Sequence, residues 1–377
     1  MNQKLKLLIV LLIIGQSLFA QQKLPIIKAT SKTVDIRDGE NFSKASWTIS
    51  PELNPDVYTT SSKNKKITFY TDLDSISFIV KPDTKFDFII LLNDTISALT
   101  QIKYVPSFLE TLKSSKEYDL TDKRVIPKFI YQQSDNPNLV TLRKEFNLDS
   151  IAGTGNEVSR ILNLLHWIHN LVPHDGQNGN PEIKNALNMI AVCKKDSRGL
   201  NCRGLATALN ECYLSLGIKS RFITCLPKDS TDTECHVINM VYSNDLKKWL
   251  WIDPTHDAYV MNEKGELLSI QEVRERLING KTLILNPDAN WNRKSSTIKE
   301  DYLYNYMAKN LYRFECPVSS EFDTETKEQG KKTSYIELLP MDYFDQKPDK
   351  SESTNTENGT TFIHYKTNNP IMFWQLP

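Results

Sequence analysis

Three side chains in the middle third of the chain have the chemistry of a nucleophile, a base and a carboxylate that orients the base. Cys202 follows Asn201, a good helix N-cap, and an apolar pattern of helical period begins there. A cysteine in the first turn of a helix is favoured as the thiolate, since free backbone N–H groups and the helix dipole stabilise negative charge. His236 and Asp253 are the residue types that activate such a thiol for attack on a carbonyl carbon.

The spacing of strands predicts how the histidine meets the aspartate. Three strands are predicted after the helix, at residues 218–225, 235–242 and 247–253. If the last two form a hairpin with a turn at Asn244-Asp245, His236 lies directly opposite Asp253 on one face. Directly opposed residues have Cβ atoms about 4.5–5.5 Å apart, close enough for a carboxylate to hold an imidazole.

Helices are predicted before this sheet. Helical periodicity runs over residues 158–171, a second helix is predicted from an Asn180 cap to about residue 192, and a third from Cys202 to Gly217. Basic residues near the start of the third helix favour the thiolate further: Lys194, Lys195, Arg198 and Arg203. The backbone N–H of Cys202 is the expected first donor to an oxyanion, and a second donor is expected within residues 174–178.

Three ordered motifs over residues 158–260 resemble the transglutaminase-like superfamily. They are Asn201-Cys202-Arg203-Gly204-Leu205-Ala206 with the exit Leu216-Gly217-Ile218-Lys219-Ser220-Arg221, then His236 at the start of a strand, then Trp251-Ile252-Asp253-Pro254-Thr255. The resemblance implies a papain-like fold in which Cys202, His236 and Asp253 are nucleophile, base and orienter. Many members place an aromatic residue two positions after the histidine, where this chain has Ile238, so we expect a differently lined cleft.

The expected reaction is acyl transfer from an amide without a cofactor. Water as the acceptor gives a peptidase or amidase acting on a peptide, protein or glycopeptide, and a lysine amine gives a cross-linking transglutaminase. Hydrolysis is preferred because the resembled family has exported bacterial members of that kind. A non-catalytic binding module on the same fold is the alternative of a different class, and it predicts ordinary reactivity for Cys202.

The polar residues also allow other interpretations. Zinc bound by Cys202, Cys235, His236 and Asp253 is disfavoured, since no C-x-x-C pair is present. His256 is an alternative base, but it lacks an opposed carboxylate. His166 and His169 are interpreted as surface residues of a helix, and His174 as a loop residue that could line a cleft. Cys225 and Cys235 are either a disulfide or two buried thiols.

Composition restricts the partners and the compartment. Formal net charge is +0, with 46 basic and 46 acidic residues, which predicts neither nucleic-acid binding nor attraction to an anionic membrane. Lys4 and Lys6 precede an apolar run over residues 7–14, which is too short to span a bilayer and is typical of a signal peptide. We therefore expect cleavage near residue 20 and a periplasmic, cell-surface or secreted product without stable membrane insertion.

The fold class expected is α+β. The divisions are a signal peptide (1–20), an antiparallel β-sandwich (21–104), a connector (105–155), a catalytic domain with helices on an antiparallel sheet (156–300), and C-terminal strands with a mobile loop (301–377). Helix is expected at 301–311, strands at 334–339, 360–365 and 371–374, and the mobile loop at 346–359. Trp47 and nearby tyrosines are either sandwich core or a glycan-stacking surface.

Overall fold

The structure is a computed structural model that describes residues 23–377. The predicted signal peptide, residues 1–20, lies outside the described residues. The chain divides into two compact units, the first ending at Ser107 and the second running from Phe108 to Pro377. Within residues 23–377, no helix is long and apolar enough to cross a membrane.

The first unit is a β-sandwich, as the period-two alternation predicts. Its strands are β1 (Ile26–Ala29), β2 (Thr33–Asp38), β3 (Asn41–Thr48), β4 (Asp56–Thr60), β5 (Lys65–Tyr70), β6 (Ser75–Val80), β7 (Lys85–Leu92) and β8 (Ile96–Tyr104). They form sheets of order β1-β7-β8-β4 and β3-β2-β5-β6. The second sheet is antiparallel, but β1 and β4 pair in parallel with β7 and β8. Apolar alternation could not distinguish parallel from antiparallel pairing, because side chains alternate with a period of two in both kinds of sheet.

Trp47 belongs to the packing of this sandwich. Its ring makes edge contacts with Tyr58 at 5.6 Å and with Phe69 at 6.4 Å, and Phe69 is fully buried. Such edge-to-face pairs are favoured between packed aromatic rings. Trp47 and Tyr58 therefore pack against the sandwich core.

The second unit contains the residues of the predicted site. Its first half comprises α1 (Phe108–Lys113), β9 (Ile130–Tyr131), α2 (Pro137–Glu145), α3 (Leu148–Ala152), α4 (Glu157–Leu171), α5 (Ala186–Asp196), α6 (Cys202–Ser215), β10 (Ser220–Leu226), β11 (His236–Ser243), β12 (Lys248–Ile252) and β13 (Val260–Met261). Its second half comprises α7 (Ile270–Ile278), β14 (Ile284–Leu285), β15 (Asn290–Trp291), β16 (Ser295–Ser296), a π-helix (Glu300–Met307), α8 (Ala308–Asn310), β17 (Arg313–Pro317), β18 (Ser319–Ser320), β19 (Lys332–Leu338), β20 (Lys350–Thr354), β21 (Thr361–Thr367) and α9 (Pro370–Phe373).

A seven-stranded sheet of order β12-β11-β10-β17-β19-β21-β20 organises this unit. Helices α2, α4, α5 and α6 pack on the face that carries Val241 and Leu250, whereas α7 and the π-helix pack on the face that carries Met240 and Trp251. Since they are covered on both sides, β10 and β12 are near-continuous buried strands. The α+β class with helices on a sheet is confirmed, although β19 and β21 pair in parallel.

Several element predictions were wrong for identifiable reasons. The second helix begins at Ala186 with Asn185 as its cap, not at Asn180, whose side chain instead contacts Asn201. Residues 371–373 form the end of α9 and Trp374 is its C-cap, so no strand forms there, since Asn369 caps the helix start and Pro370 opens it. Within the predicted mobile loop, residues 350–354 form β20, because its backbone pairs with β21. The last strands join the sheet of the second unit.

Candidate active site

Cys202 opens α6, and a pair of asparagines builds that helix start. The Oδ1 of Asn201 accepts the N–H of Gly204 at 3.1 Å, as the N-cap prediction requires. The Asn180 side chain lies across the same turn, accepting the N–H of Asn201 at 3.0 Å and donating to Asn201 Oδ1 at 2.7 Å. A Cβ on Gly204 would lie 2.6 Å from Asn180 Oδ1. Glycine two positions after the cysteine therefore leaves the space in which Asn180 fixes the first turn.

His236 and Asp253 form a buried pair. His236 Nε2 lies 2.7 Å from Asp253 Oδ2, and the two residues are 1% and 0% exposed. The same Oδ2 accepts the Tyr302 hydroxyl at 2.6 Å, and Oδ1 accepts the N–H of Thr255 at 2.9 Å. Because Nε2 faces the carboxylate, Nδ1 is the imidazole nitrogen left for Cys202.

The predicted hairpin register was wrong by two residues. Asn239 pairs with Ile252, and the turn spans four residues, 244–247, rather than two. Glu157 at the start of α4 stabilises this wider turn, since its carboxylate accepts the N–H of Asp245 and the side chains of Ser243 and Asn244. A shift of two keeps every side chain on its face, so the histidine and the aspartate still meet, diagonally rather than directly opposite.

The surroundings of Cys202 favour a thiolate. Burial raises the pKa of the thiol, but hydrogen bonds with His174 and His236, the charge of His236 and the Val237 backbone outweigh burial and lower that pKa to about 6. Burial lowers the pKa of His236, and the Asp253 charge overcomes it and raises the pKa well above the usual range. The pair is therefore favoured as thiolate and imidazolium.

The basic residues predicted to favour the thiolate are not among the main influences on the pKa of Cys202. The Arg203 guanidinium pairs with Glu325 at 3.1 Å and donates to Thr224 Oγ1 at 2.9 Å, so its charge is compensated. The main influences that lower the Cys202 pKa come from the two histidines. His174 is a loop residue whose backbone pairs with Leu200, two residues before Cys202, and it belongs to the segment where a second oxyanion donor is expected.

Three other histidines have structural partners. His169, predicted to lie on a helix surface, is 2% exposed and contacts Pro254 O and Asn290 Oδ1, at 3.0 and 2.9 Å. His166 Nδ1 lies 2.6 Å from Asp257. Burial lowers the pKa of His256 to about 4, which makes it a weak base, and its Nδ1 lies 3.1 Å from Thr297 Oγ1. His256 therefore belongs to the cleft wall.

The remaining cysteines are free thiols. The disulfide considered between Cys225 and Cys235 is not formed, and Cys225 instead lies opposite His236 on the adjacent strand. Burial raises the pKa of both thiols, so neither shares the activation of Cys202.

Two groups of side chains have the geometry to hold a metal ion. Among residues 23–377 these are His236, Asp253 and His256, and separately Glu315, Glu337 and His364. Neither contains Cys202 or Cys235, which the zinc alternative required. In the first group, His236 Nε2 is already hydrogen-bonded to Asp253.

Two tyrosines of the π-helix complete the site and were missed from the sequence. Tyr302 donates to Asp253, and the ring of Tyr306 lies 5.3 Å from the His236 ring with its hydroxyl 3.5 Å from Cys235 O. π-Helical turns are rare and are frequent at functional sites. The spacing of four between the two residues indicated a shared helix face, but nothing in the sequence indicated that this face covers β11 and β12.

One family model and two solved structures resemble parts of this chain. Residues 144–254 match the family model described as "Transglutaminase-like superfamily", which supports a cysteine-dependent enzyme family. No curated protein matches the chain. One similar solved structure is a "Putative Cysteine Protease from Cytophaga hutchinsonii", with 21% identity, TM-score 0.24, and 37% of this chain and 43% of that chain covered. Another is red sea bream transglutaminase, with 12% identity, TM-score 0.22, and 62% and 50% covered. The chain spans at most half the length of these two proteins.

Proposed function

We propose, on the premise that residues 144–254 form a transglutaminase-like domain, that this chain is an exported hydrolase that cleaves an amide bond with Cys202, His236 and Asp253. The observation that carries the proposal is the buried His236–Asp253 pair at 2.7 Å beside a thiol whose pKa is lowered to about 6. Ordinary structural cysteines are inert, and an activated one is a mark of nucleophilic catalysis.

The proposed steps begin with the thiolate of Cys202 attacking the amide carbonyl carbon, so that a C–S bond forms and the carbonyl oxygen becomes an oxyanion. The N–H of Cys202 and the imidazole of His174 are the proposed donors to that oxygen. His236 then gives its proton to the amide nitrogen, the C–N bond breaks and the amine leaves. Asp253 holds the imidazole throughout and stabilises its charged form.

In the second half of the reaction, His236 takes a proton from water while the water oxygen attacks the acyl carbon. The C–S bond then breaks, giving a carboxylic acid and regenerating the thiolate–imidazolium pair. A lysine amine in place of that water would give a cross-link. The proposed substrate is therefore a peptide, protein or glycopeptide amide.

The test uses residues 21–377 with a complex peptide mixture, followed by mass spectrometry, and a Cys202→Ala variant as the matched control. New peptide termini or conversion of side-chain amides to acids, present only with Cys202, are the expected result. Incorporation of an added alkylamine would identify the transglutaminase alternative. If no product depends on Cys202 and its alkylation is that of an ordinary thiol, the chain is a binding module and the proposal is wrong.

A further inference from the structure

A cavity of about 400 Å³ lies beside the histidine of the proposed triad. Its wall consists of His256, Trp291, Ser296, Thr297, Ile298, Asp301, Tyr302 and Tyr306. This volume lies within the range of about 300–1,000 Å³ that is typical of small-molecule sites. The β15–β16 hairpin and the π-helix supply most of the wall, and no part of it belongs to α6.

The cavity lies on the His236 side of the site. The Tyr306 and His256 rings in its wall have centroids 5.3 and 5.9 Å from that of His236, whereas Cys202 is not part of the wall. In an acyl transfer by these residues, the acyl carbon becomes bonded to Cys202 and the departing nitrogen takes its proton from His236. A group carried by that nitrogen is thus directed toward the cavity.

Ring faces and the Ile298 side chain make up much of the wall, and several of its polar atoms already have partners. The Tyr302 hydroxyl is engaged by Asp253, that of Tyr306 lies 3.5 Å from Cys235 O, and His256 Nδ1 lies 3.1 Å from Thr297. Trp291 packs on His256 with ring centroids 5.0 Å apart. Because burial lowers the pKa of His256 to about 4, this ring is neutral near pH 7. Asp301, the single carboxylate in the wall, is exposed, so water screens its charge.

We infer that this cavity is the leaving-group subsite and that it takes an aromatic or large apolar group carried by the amide nitrogen. The inference rests on the proposed function. Removal of such a group from water against ring faces and the Ile298 side chain is favourable, because both surfaces are apolar. A charged amine could instead pair with Asp301 or lie over the rings, and the test below distinguishes this case.

The test measures alkylation of Cys202 by iodoacetamides with different N-substituents. The substituent lies on the nitrogen side of the carbonyl, like the leaving group of an amide. We expect N-benzyl iodoacetamide to react at least tenfold faster than N-methyl iodoacetamide, after each rate is divided by its rate with glutathione. Trp291→Ala and Ile298→Ala should reduce this ratio severalfold. Ile371→Ala is the matched control, since Ile371 and Ile298 are similarly exposed, at 66% and 60%, and it should retain the ratio.

Three outcomes would overturn the subsite. The first is a corrected ratio of N-benzyl to N-methyl rates near one. The second is a faster reaction with N-(4-aminobutyl) iodoacetamide, which would indicate a site for a cationic group. The third is a benzyl preference that both Trp291→Ala and Ile298→Ala retain. Unsubstituted iodoacetamide distinguishes a wrong subsite from a wrong proposed function, since its rate depends on activation of the Cys202 thiol alone. If it does not label Cys202 selectively, ligand-observed NMR of N-benzylacetamide with Cys202→Ala tests the cavity directly. Binding that Trp291→Ala abolishes supports the subsite, and absence of binding contradicts it.

Discussion

At the scale of residues, the distinctive property of the site is the coupling of a thiol to two imidazoles. His174 and His236 both lower the pKa of Cys202, and Asp253 holds His236 through a hydrogen bond at 2.7 Å. The sequence indicated His236 and Asp253 through their motifs. It indicated His174 only as a member of a polar loop, since contact with the thiol depends on how that loop returns beside α6.

The pH dependence of alkylation follows from the Cys202 pKa. Below about pH 6 the thiol is protonated, so the iodoacetamide rate should fall as pH decreases through 6 and stay high at neutral pH. His236→Ala removes a hydrogen bond and a positive charge, so the midpoint should move up toward about 8.5 and the rate at pH 7 should drop roughly tenfold. Mass mapping checks this, with Cys235 as an internal reference. Equal midpoints in the two proteins would contradict the pairing.

His174 is expected to contribute to the same pKa in a smaller way. His174→Leu removes one hydrogen bond to the thiol but leaves the charge of His236, so the midpoint should rise by less than in His236→Ala. His174→Gln, which keeps a donor, should restore part of the shift. An unchanged pH profile in His174→Leu, despite native folding by circular dichroism, would show that His174 does not act on the thiol.

At the scale of elements, the sequence predicted where α6 begins but not all of the contacts that stabilise this helix start. The Asn201 cap was evident from residue type, whereas the role of Asn180 was wrongly assigned to a separate helix. Capping propensity is local, and Asn180 is twenty-one residues away along the chain. The turn of the β11–β12 hairpin shows the same limit, since a carboxylate from α4 stabilises its four-residue form.

Gly204→Ala tests whether the hydrogen bonds between Asn180 and Asn201 stabilise the start of α6. Its Cβ would lie 2.6 Å from Asn180 Oδ1, so Asn180 must move and its two hydrogen bonds with Asn201 weaken. We expect the free energy of unfolding of the second unit to fall by roughly 1–3 kcal/mol, measured by urea denaturation. Gly179→Ala is the matched control, because nothing lies within 4 Å of the position that its Cβ would take. Equal stability of the two variants would show that the Asn180–Asn201 hydrogen bonds do not stabilise the second unit.

At the scale of the whole molecule, a buried acid connects distant parts of the second unit. Glu211 in α6 is fully buried and accepts the N–H of Ala186 at 2.7 Å and that of Asp323 at 2.9 Å. Burial is the largest influence on its pKa and raises it to about 8. The folded protein therefore retains a proton on Glu211 over a range in which the unfolded chain has lost it.

The proton on Glu211 causes the free energy of unfolding to decrease as pH rises. Between about pH 4.5 and 8 the folded state binds one proton more at Glu211 than the unfolded state, so the free energy of unfolding should fall by at most about 1.4 kcal/mol per pH unit. Glu211→Gln removes this dependence and should gain stability relative to the native chain as pH increases. Urea unfolding at pH 5, 6.5 and 8 checks it, with exposed Glu182→Gln as control. Parallel stability curves for native chain and Glu211→Gln would contradict the prediction.

The sequence by itself determined the properties that depend on local pattern. Alternation predicted the first unit as a sandwich, helical period and an N-cap predicted α6, and ordered motifs predicted Cys202, His236 and Asp253 as one site. The tertiary structure decided what depends on contacts between distant residues: His174 and the π-helix tyrosines at the site, the hairpin register, and the C-terminal strands in the central sheet. Side-chain periodicity indicates which face of an element is buried, but only packing selects the element that covers that face.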